Sequence, residues 1–333
     1  MSGYKAVIAT EALGGPDCYR LGEQERALLK AGQIRVAVTA AGVSYVDVLI
    51  AAGRYQKQPP LPFVPGTECA GTVIEVGEAV HDIRVGQRVV AGCGLGGAFA
   101  QEVRADASGA IPIPDRLDFA DAAGTYVNYQ TAYHALVQRA ALKAGERLLV
   151  LGASGGVGSA AIEIGRALGA IVIASASTPQ KRTAAMALGA AAAIDSAAPD
   201  WRDQTRALTE GRGPDVVVDP VGGLETERAF RSLAWNGRLL VVGFLGSTEI
   251  PAIRTNLPLL KGGALIGVDI RQFREREPDL ARANLDALNA MIGAGQLSPK
   301  AGHRFAMRDF AAAMDLATRR DRVGRITIDM RLP

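Results

Sequence analysis

The stretch Leu149-Val150-Leu151-Gly152-Ala153-Ser154-Gly155-Gly156-Val157-Gly158-Ser159 decides the fold. An apolar run ends, a cluster of glycines and small residues follows, and a segment with helical periodicity opens at once. That order reads as a buried strand, a tight turn and a helix. Small residues let backbone amides approach a pyrophosphate, and the helix N-terminus adds positive potential. Against G-x-G-x-x-G, the first position is Ala153 and the others are Gly155 and Gly158. A bare tight turn that packs a helix on a sheet would use the same residues. The strand before, the helix after and a second strand on schedule favour the nucleotide reading. Ser154, Gly155, Gly156 and Val157 are its expected cofactor-binding residues.

Outward from this turn, the same rhythm continues. Apolar strand runs at 171–174, 215–219 and 238–243 alternate with helices expected over 157–168 and 179–188, which are the βαβ units of a parallel sheet. An Ala-rich helix is expected over 119–137. The first third differs: short β runs at 34–38, 70–77, 87–91 and 99–103 are separated by Gly-rich turns, as in a small barrel or folded-over sheet. Gln56-Lys57-Gln58-Pro59-Pro60-Leu61-Pro62 cannot be helical, because proline lacks the amide donor and biases its predecessor to extended geometry. Beyond about residue 265 the chain shows an amphipathic helix at 278–292, another near 309–317 and a last strand at 325–328.

Composition narrows the function classes. In 333 residues, 48% are hydrophobic and 21% charged, an ordinary globular balance rather than a disordered one. The formal charge is only +3, with no basic block, which speaks against nucleic acid as a partner. No run of about 18 apolar residues suggests a membrane span. The N-terminus lacks a signal peptide's apolar core, so a cytoplasmic location is expected. Cys18, Cys69 and Cys93 are odd in number and scattered, which fits reduced thiols and not a disulfide framework. With His81, His134 and His303 at no ligand spacing, no metal site is expected.

The end of the second strand of the parallel sheet reads the cofactor. An NAD enzyme places an acid there to hold the ribose 2′-hydroxyl. Ala176 stands there instead, followed by Ser177, Lys181 and Arg182, where the 2′-phosphate of NADPH would lie. Ser177 or Thr178 also suits a helix cap ahead of Pro179, and the two roles are compatible. NADPH is the expected cofactor.

Several motifs together resemble the medium-chain dehydrogenase/reductase superfamily. They are Gly42-Val43-Ser44-Tyr45-Val46-Asp47, Ala52-Gly53-Arg54-Tyr55, Leu61-Pro62-Phe63-Val64-Pro65-Gly66-Thr67-Glu68-Cys69-Ala70-Gly71 and Val85-Gly86-Gln87-Arg88-Val89. With the glycine turn, Asp219-Pro220-Val221-Gly222-Gly223, Gly243-Phe244 and Asn256-Leu257-Pro258-Leu259-Leu260-Lys261 resemble its zinc-free quinone oxidoreductase branch. The resemblance runs nearly end to end. It implies an α/β chain with a GroES-like, β-rich catalytic domain from residues 1–122 and 265–333 around a Rossmann NADP-binding domain of 123–264.

Zinc-dependent relatives carry Cys near position 44 and His at 67, where this chain has Ser44 and Thr67. The resemblance therefore implies hydride transfer from NADPH to a quinone or another activated alkene or carbonyl, without metal. Ser44 stands where quinone reductases usually carry Asn near the nicotinamide. Tyr55 matches in position the proton donor of enoyl-thioester reductases, and equally suits a wall of the nicotinamide pocket. Asn128 and Thr131 match the helix beneath the cofactor, and Val221, Gly243, Phe244 and Asn256 match further cofactor contacts. Two other readings stay open: an enoyl-thioester reductase, and an NADPH-binding protein without turnover. A homodimer is expected, because the apolar run at 264–270 would end a parallel sheet with an open edge.

Overall fold

The computed structural model describes residues 3–245 and 250–332, and they form two compact units. The first comprises residues 1–127, 285–293 and 299–333; the second comprises 128–284 and 294–298.

In the second unit, six strands run parallel. Across the sheet they are Ala192–Asp195, Ile171–Ala176, Arg147–Val150, Val216–Asp219, Arg238–Val241 and Ala264–Gly267. Numbered along the chain this is the order 3-2-1-4-5-6, the doubly wound arrangement whose winding reverses between the first and fourth strands. Between Arg147 at the start of one central strand and Asp219 at the end of the other, the residues are apolar because helices cover both faces, so Leu148, Leu149, Val150, Val216, Val217 and Val218 are all fully buried. Trp201 and Phe230 fill the space between the sheet and the helices Trp201–Leu208 and Leu224–Ser232.

In the first unit, seven strands form a mainly antiparallel sheet around the eleven-residue strand Gln33–Val43. It pairs with Glu68–Val76, Glu102–Asp106 and Arg325–Asp329, and the last of these pairs in parallel with Ala301–Ala306. Tyr4–Ile8 and Arg20–Gln24 pair as a separate two-stranded sheet, and Val7 on the first of them enters the core of the larger sheet. Val36, Val73, Phe99, Ile326 and Ile328 share one core, so strands from both ends of the chain close around the same apolar centre.

The structure departs from the sequence reading at three places. The run expected at 99–103 becomes a strand only at Glu102–Asp106. Before it, the Phe99 amide donates to Pro65 O at 2.9 Å and its carbonyl accepts from Val7 N at 2.9 Å, so this backbone is already committed elsewhere. The helix expected over 119–137 is broken into Phe119–Ala122 and Tyr126–Tyr133, because Ala123 is extended and Gly124 takes φ +84°. It then passes into a π-helix, His134–Arg139, in which Ala140 N donates to Ala135 O at 2.9 Å.

The third departure is the boundary expected at residue 264. Ala264–Gly267 completes the parallel sheet, and beyond it Phe273 stacks on His134 with ring centroids 3.8 Å apart. Gln130 Nε2 donates to Ala281 O at 3.3 Å, and Gln138 and Asn284 exchange two amide hydrogen bonds. These ties hold 265–284 with the parallel sheet. At the other end, Val127 N donates to Glu68 Oε2 at 2.9 Å, which keeps 123–127 with the β-rich unit.

Candidate functional site

In the parallel-sheet unit, strand Arg147–Val150 runs through Leu151 into a turn where Gly152 adopts φ +57°, a conformation that favours glycine. Helix Gly156–Ala167 follows, and its N-cap, Gly155, makes no side-chain cap hydrogen bond. The first amides of this helix are thus left for an outside acceptor, which is what an anion site requires. A Cβ on Gly158 would fall against the Gly152 carbonyl, and one on Gly156 would come 2.5 Å from Asn128 Oδ1. Only glycine allows so close an approach at either position. Asn128, from helix Tyr126–Tyr133, therefore sits at the helix start, with Thr131 buried one turn on.

Val221 closes the other side of the turn: its Cγ2 lies 3.0 Å from where a Gly152 Cβ would stand. It is held by Asp219, a buried carboxylate that accepts from Val221 N and Gly222 N, each at 2.9 Å, and from Thr226 Oγ1 at 2.6 Å. Phe244 packs beside Gly222, and Leu245 N donates to Pro220 O at 3.2 Å, which brings Gly243 and Phe244 to the same strand ends. Ligands of open α/β sheets bind in this place, outside the carboxyl ends of strands that flank the reversal. Asn256 opens helix Asn256–Lys261 with its side chain exposed, and no hydrogen bond links it to these residues among the described ones.

At the end of strand Ile171–Ala176, Lys181 Nζ lies 3.4 Å from Ser177 Oγ. Thr178 caps the next helix by accepting from Lys181 N at 3.3 Å, and Pro179 occupies its first turn. Arg182 is differently placed. Its guanidinium donates to Ala176 O at 3.1 Å and pairs with Asp195 at 3.1 Å, so a carboxylate already neutralises it. The hydroxyl and ammonium of Ser177 and Lys181 are the pair that fits a phosphate. Together with the uncapped helix start, they fit a nicotinamide dinucleotide.

In the β-rich unit, Ser44 caps helix Tyr45–Ala51 in a capping box with Asp47. The Ser44 hydroxyl and amide both donate to Asp47 Oδ2, at 2.6 and 2.7 Å, and the Thr67 amide donates to Oδ1 at 2.7 Å. Burial pushes the Asp47 carboxyl above the usual carboxylate range, against the pull of the hydrogen bonds from Ser44 and Thr67. Asp47 lies inside one of the motifs that carry the family resemblance, and the S-x-x-D spacing announces the cap. Its link to Thr67, twenty residues on, has no local signal. Among the described residues no group of three or more His, Cys, Asp and Glu side chains is arranged to hold a metal ion.

Tyr55 stands half-buried on the irregular segment after this helix and packs against the core. Gln58 Nε2 donates to Gly53 O at 2.8 Å and ties the two ends of the loop that carries it. The Tyr55 hydroxyl makes no hydrogen bond among the described residues. A recess of about 420 Å³ opens beside the loop, lined by Leu13, Ala52, Gly53, Gln58, Pro59 and Leu61.

Two families match the chain: an alcohol dehydrogenase GroES-like domain over residues 30–115, and a zinc-binding dehydrogenase over residues 156–285. The chain is 33% identical over 302 residues to a quinone oxidoreductase-like protein 2 homolog of Nematostella vectensis, covering 90% of this chain and 82% of the relative. It is 31% identical over 301 residues to a Homo sapiens quinone oxidoreductase, covering 90% of each. Among solved structures, mycobacterial Rv1454c complexed with NADPH superposes with a TM-score of 0.87 at 28% identity, over 98% of this chain and 99% of that one. Likeness of this extent, on a fold whose glycine turn and strand order already fit a dinucleotide, places the chain in the quinone oxidoreductase branch of the medium-chain dehydrogenase/reductase superfamily, as an NAD(P)H-dependent oxidoreductase.

Proposed function

We propose that the chain is an NADPH-dependent reductase of quinones and of other alkenes or carbonyls activated by conjugation, acting without zinc. The observation that carries this reading is the donor set at the two positions where zinc-dependent relatives hold their metal. Ser44 and Thr67 offer hydroxyls in place of a thiolate and an imidazole, and the Ser44 hydroxyl is already bound to Asp47. Without a Lewis acid to stabilise an alkoxide, the acceptor must be electrophilic before it arrives. When bound, the reduced nicotinamide supplies the hydride. The chain's own part is to hold and orient: the Gly155 amide closes the turn onto the Gly152 carbonyl at 3.0 Å, the amides at Ser154, Gly156 and Val157 receive the pyrophosphate, and Ser177 and Lys181 receive the 2′-phosphate. A neighbour of the same fold complexed with NADPH supports this choice of cofactor.

NADPH oxidation measured against a panel of quinones, enones and enoyl-CoA esters, with NADH in parallel, tests the proposal. Quinone and enone turnover with NADPH preferred is the expected result. Turnover confined to enoyl-CoA esters would make the chain an enoyl-thioester reductase, a reading that the unbonded Tyr55 hydroxyl favours as a proton donor. Nucleotide binding without turnover on any acceptor would make it a binding protein. Elemental analysis of protein purified without added metal should find no stoichiometric zinc; one tightly held zinc per chain would overturn the metal-free reading.

A homodimer is part of the proposal. Strand Ala264–Gly267 ends the parallel sheet with one side unpaired, and Leu265 on it is 48% exposed. Trp235, Leu259 and Leu260 are also exposed, at 70%, 79% and 68%. Pairing of this strand with its copy across a two-fold axis would cover the open edge. A monomer by light scattering at micromolar concentration would refute it. No helix among the described residues is long and apolar enough to cross a membrane. We assign the chain to the cytoplasm, which cell fractionation tests.

A further inference from the structure

The β-rich unit also brings together two sulfurs that the proposed reaction does not use. Strand Glu68–Val76 runs antiparallel to Arg88–Gly92, with Cys69 opposite Ala91. One residue past this ladder, the Cys93 amide donates to the Thr67 carbonyl at 2.7 Å. Cys93 and Cys69 are therefore diagonal neighbours on one face of the sheet, and their sulfurs lie 3.8 Å apart. Cys69 is fully buried in the core, whereas Cys93 is half-buried, so a small oxidant meets Cys93 first. A disulfide needs the sulfurs to close to about 2.05 Å. The segment after Cys93 can follow: Gly94 and Gly97 take φ +65° and +118°, and nothing crowds Gly94.

We propose that Cys69 and Cys93 form an oxidisable dithiol that closes to an intramolecular disulfide when the protein meets a peroxide. In the first step the Cys93 sulfur attacks one peroxide oxygen, giving a sulfenic acid and one water. In the second, the Cys69 sulfur displaces the hydroxyl, the S–S bond forms, and a second water leaves. The two thiols lose two electrons and two protons in all, and the peroxide is reduced to two waters. The Cys69 thiol, then burial, pushes the Cys93 thiol well above the usual range, so the attacking thiol stays protonated and the reaction is slow at neutral pH.

The test uses the folded full chain carrying Cys18→Ser, with wild type alongside, in excess hydrogen peroxide for several hours. Remaining thiols are then alkylated in denaturant, and the protein is examined by intact mass and peptide mapping. The expected result is a fall from two free thiols to none, a mass lower by about 2 Da, and a peptide joining Cys69 to Cys93. A reductant should restore both thiols, and Cys93→Ser should abolish the bridge. Two thiols still free, oxygen added to Cys93 without a bridge, or a bridge between chains would each overturn the proposal. Peptide mapping of the wild type separates the same outcomes if the Cys18→Ser chain does not fold.

Discussion

The glycine turn at Gly152–Gly158 and the corner formed by Ser44, Asp47 and Thr67 solve similar problems with different materials. The turn is made of backbone: a left-handed glycine, amides without a side-chain cap, and two glycines that admit close neighbours. The corner is made of one side chain, a buried carboxylate that gathers two amides and a hydroxyl from separate segments. A backbone site tolerates little added volume. A side-chain site tolerates volume but depends on which atoms accept and which donate. The variants below separate these two dependences, beginning with the largest expected effect.

The steepest test is Tyr55→Phe, which removes one oxygen from the β-rich unit and leaves its shape. A general acid contributes about 10²–10⁴-fold to a step that needs it. If Tyr55 donates the proton, the loss should be of that size with an enoyl substrate and far smaller with a quinone, which takes its proton from water. Equal small losses on both would reduce Tyr55 to a wall of the pocket.

On the nucleotide side, Lys181→Ala removes the ammonium beside Ser177 while leaving the glycine turn intact. A charged hydrogen bond contributes about 1.5–3 kcal/mol, so the Kd for NADPH should rise about 10–150-fold while that for NADH stays nearly constant. Equal weakening of both would remove Lys181 from the phosphate site.

A single methyl and a single atom exchange probe the contrast directly. Gly158→Ala sets a Cβ against the Gly152 carbonyl, and overpacking of this kind costs about 1–3 kcal/mol. Nucleotide affinity should fall with stability, because the strained part is the binding turn itself. Asp47→Asn keeps the volume but turns one acceptor into a donor facing an amide, a loss of about 1–3 kcal/mol. Nucleotide affinity should then be unchanged. If Asp47→Asn weakened NADPH as much as Gly158→Ala, the two sites would not be separable in this way.

The smallest effect concerns acid. Burial would raise the Asp121 carboxyl, but the hydrogen bonds from Ala301 N and Lys300 Nζ, each 2.9 Å, and the charges of Lys300 and Arg304 outweigh it and hold its pKa down. A carboxyl depressed by folding adds stability above its unfolded pKa, and that share disappears as pH falls through the folded value. The wild type should therefore lose its advantage over Asp121→Asn, about 1–2 kcal/mol at neutral pH, as pH drops below about 4 in urea titrations. An advantage constant from pH 7 to 3 would show that Asp121 is not ionised in the way its partners indicate.

What the sequence discloses follows the same division. Strand runs, helix starts and the glycine turn are legible because period and small residues act locally. Phe99 reads as strand in the sequence because its backbone partners, Pro65 and Val7, are distant along the chain. Arg182 is expected at the 2′-phosphate, yet Asp195 meets it from the next strand. Asp219, and the link from Asp47 to Thr67, escape notice, since a buried carboxylate's distant partners are amides that only the fold brings to it. Cys69 and Cys93 look scattered for the same reason.

The π-helix at His134–Arg139 has a consequence for length variation along the chain. Its i to i+5 bonding accommodates one residue more than an α-helical turn would. Deletion of a residue from helix Gly156–Ala167 would turn every later position by about 100°. Deletion of one from the π segment should instead let the backbone settle into regular α geometry. Asn128 would keep its bearing on Gly156, and the chain beyond Ala140 would keep its own. Among the described residues this turn is thus the segment of the nucleotide-binding unit best suited to absorb a one-codon loss without a shift in helical phase.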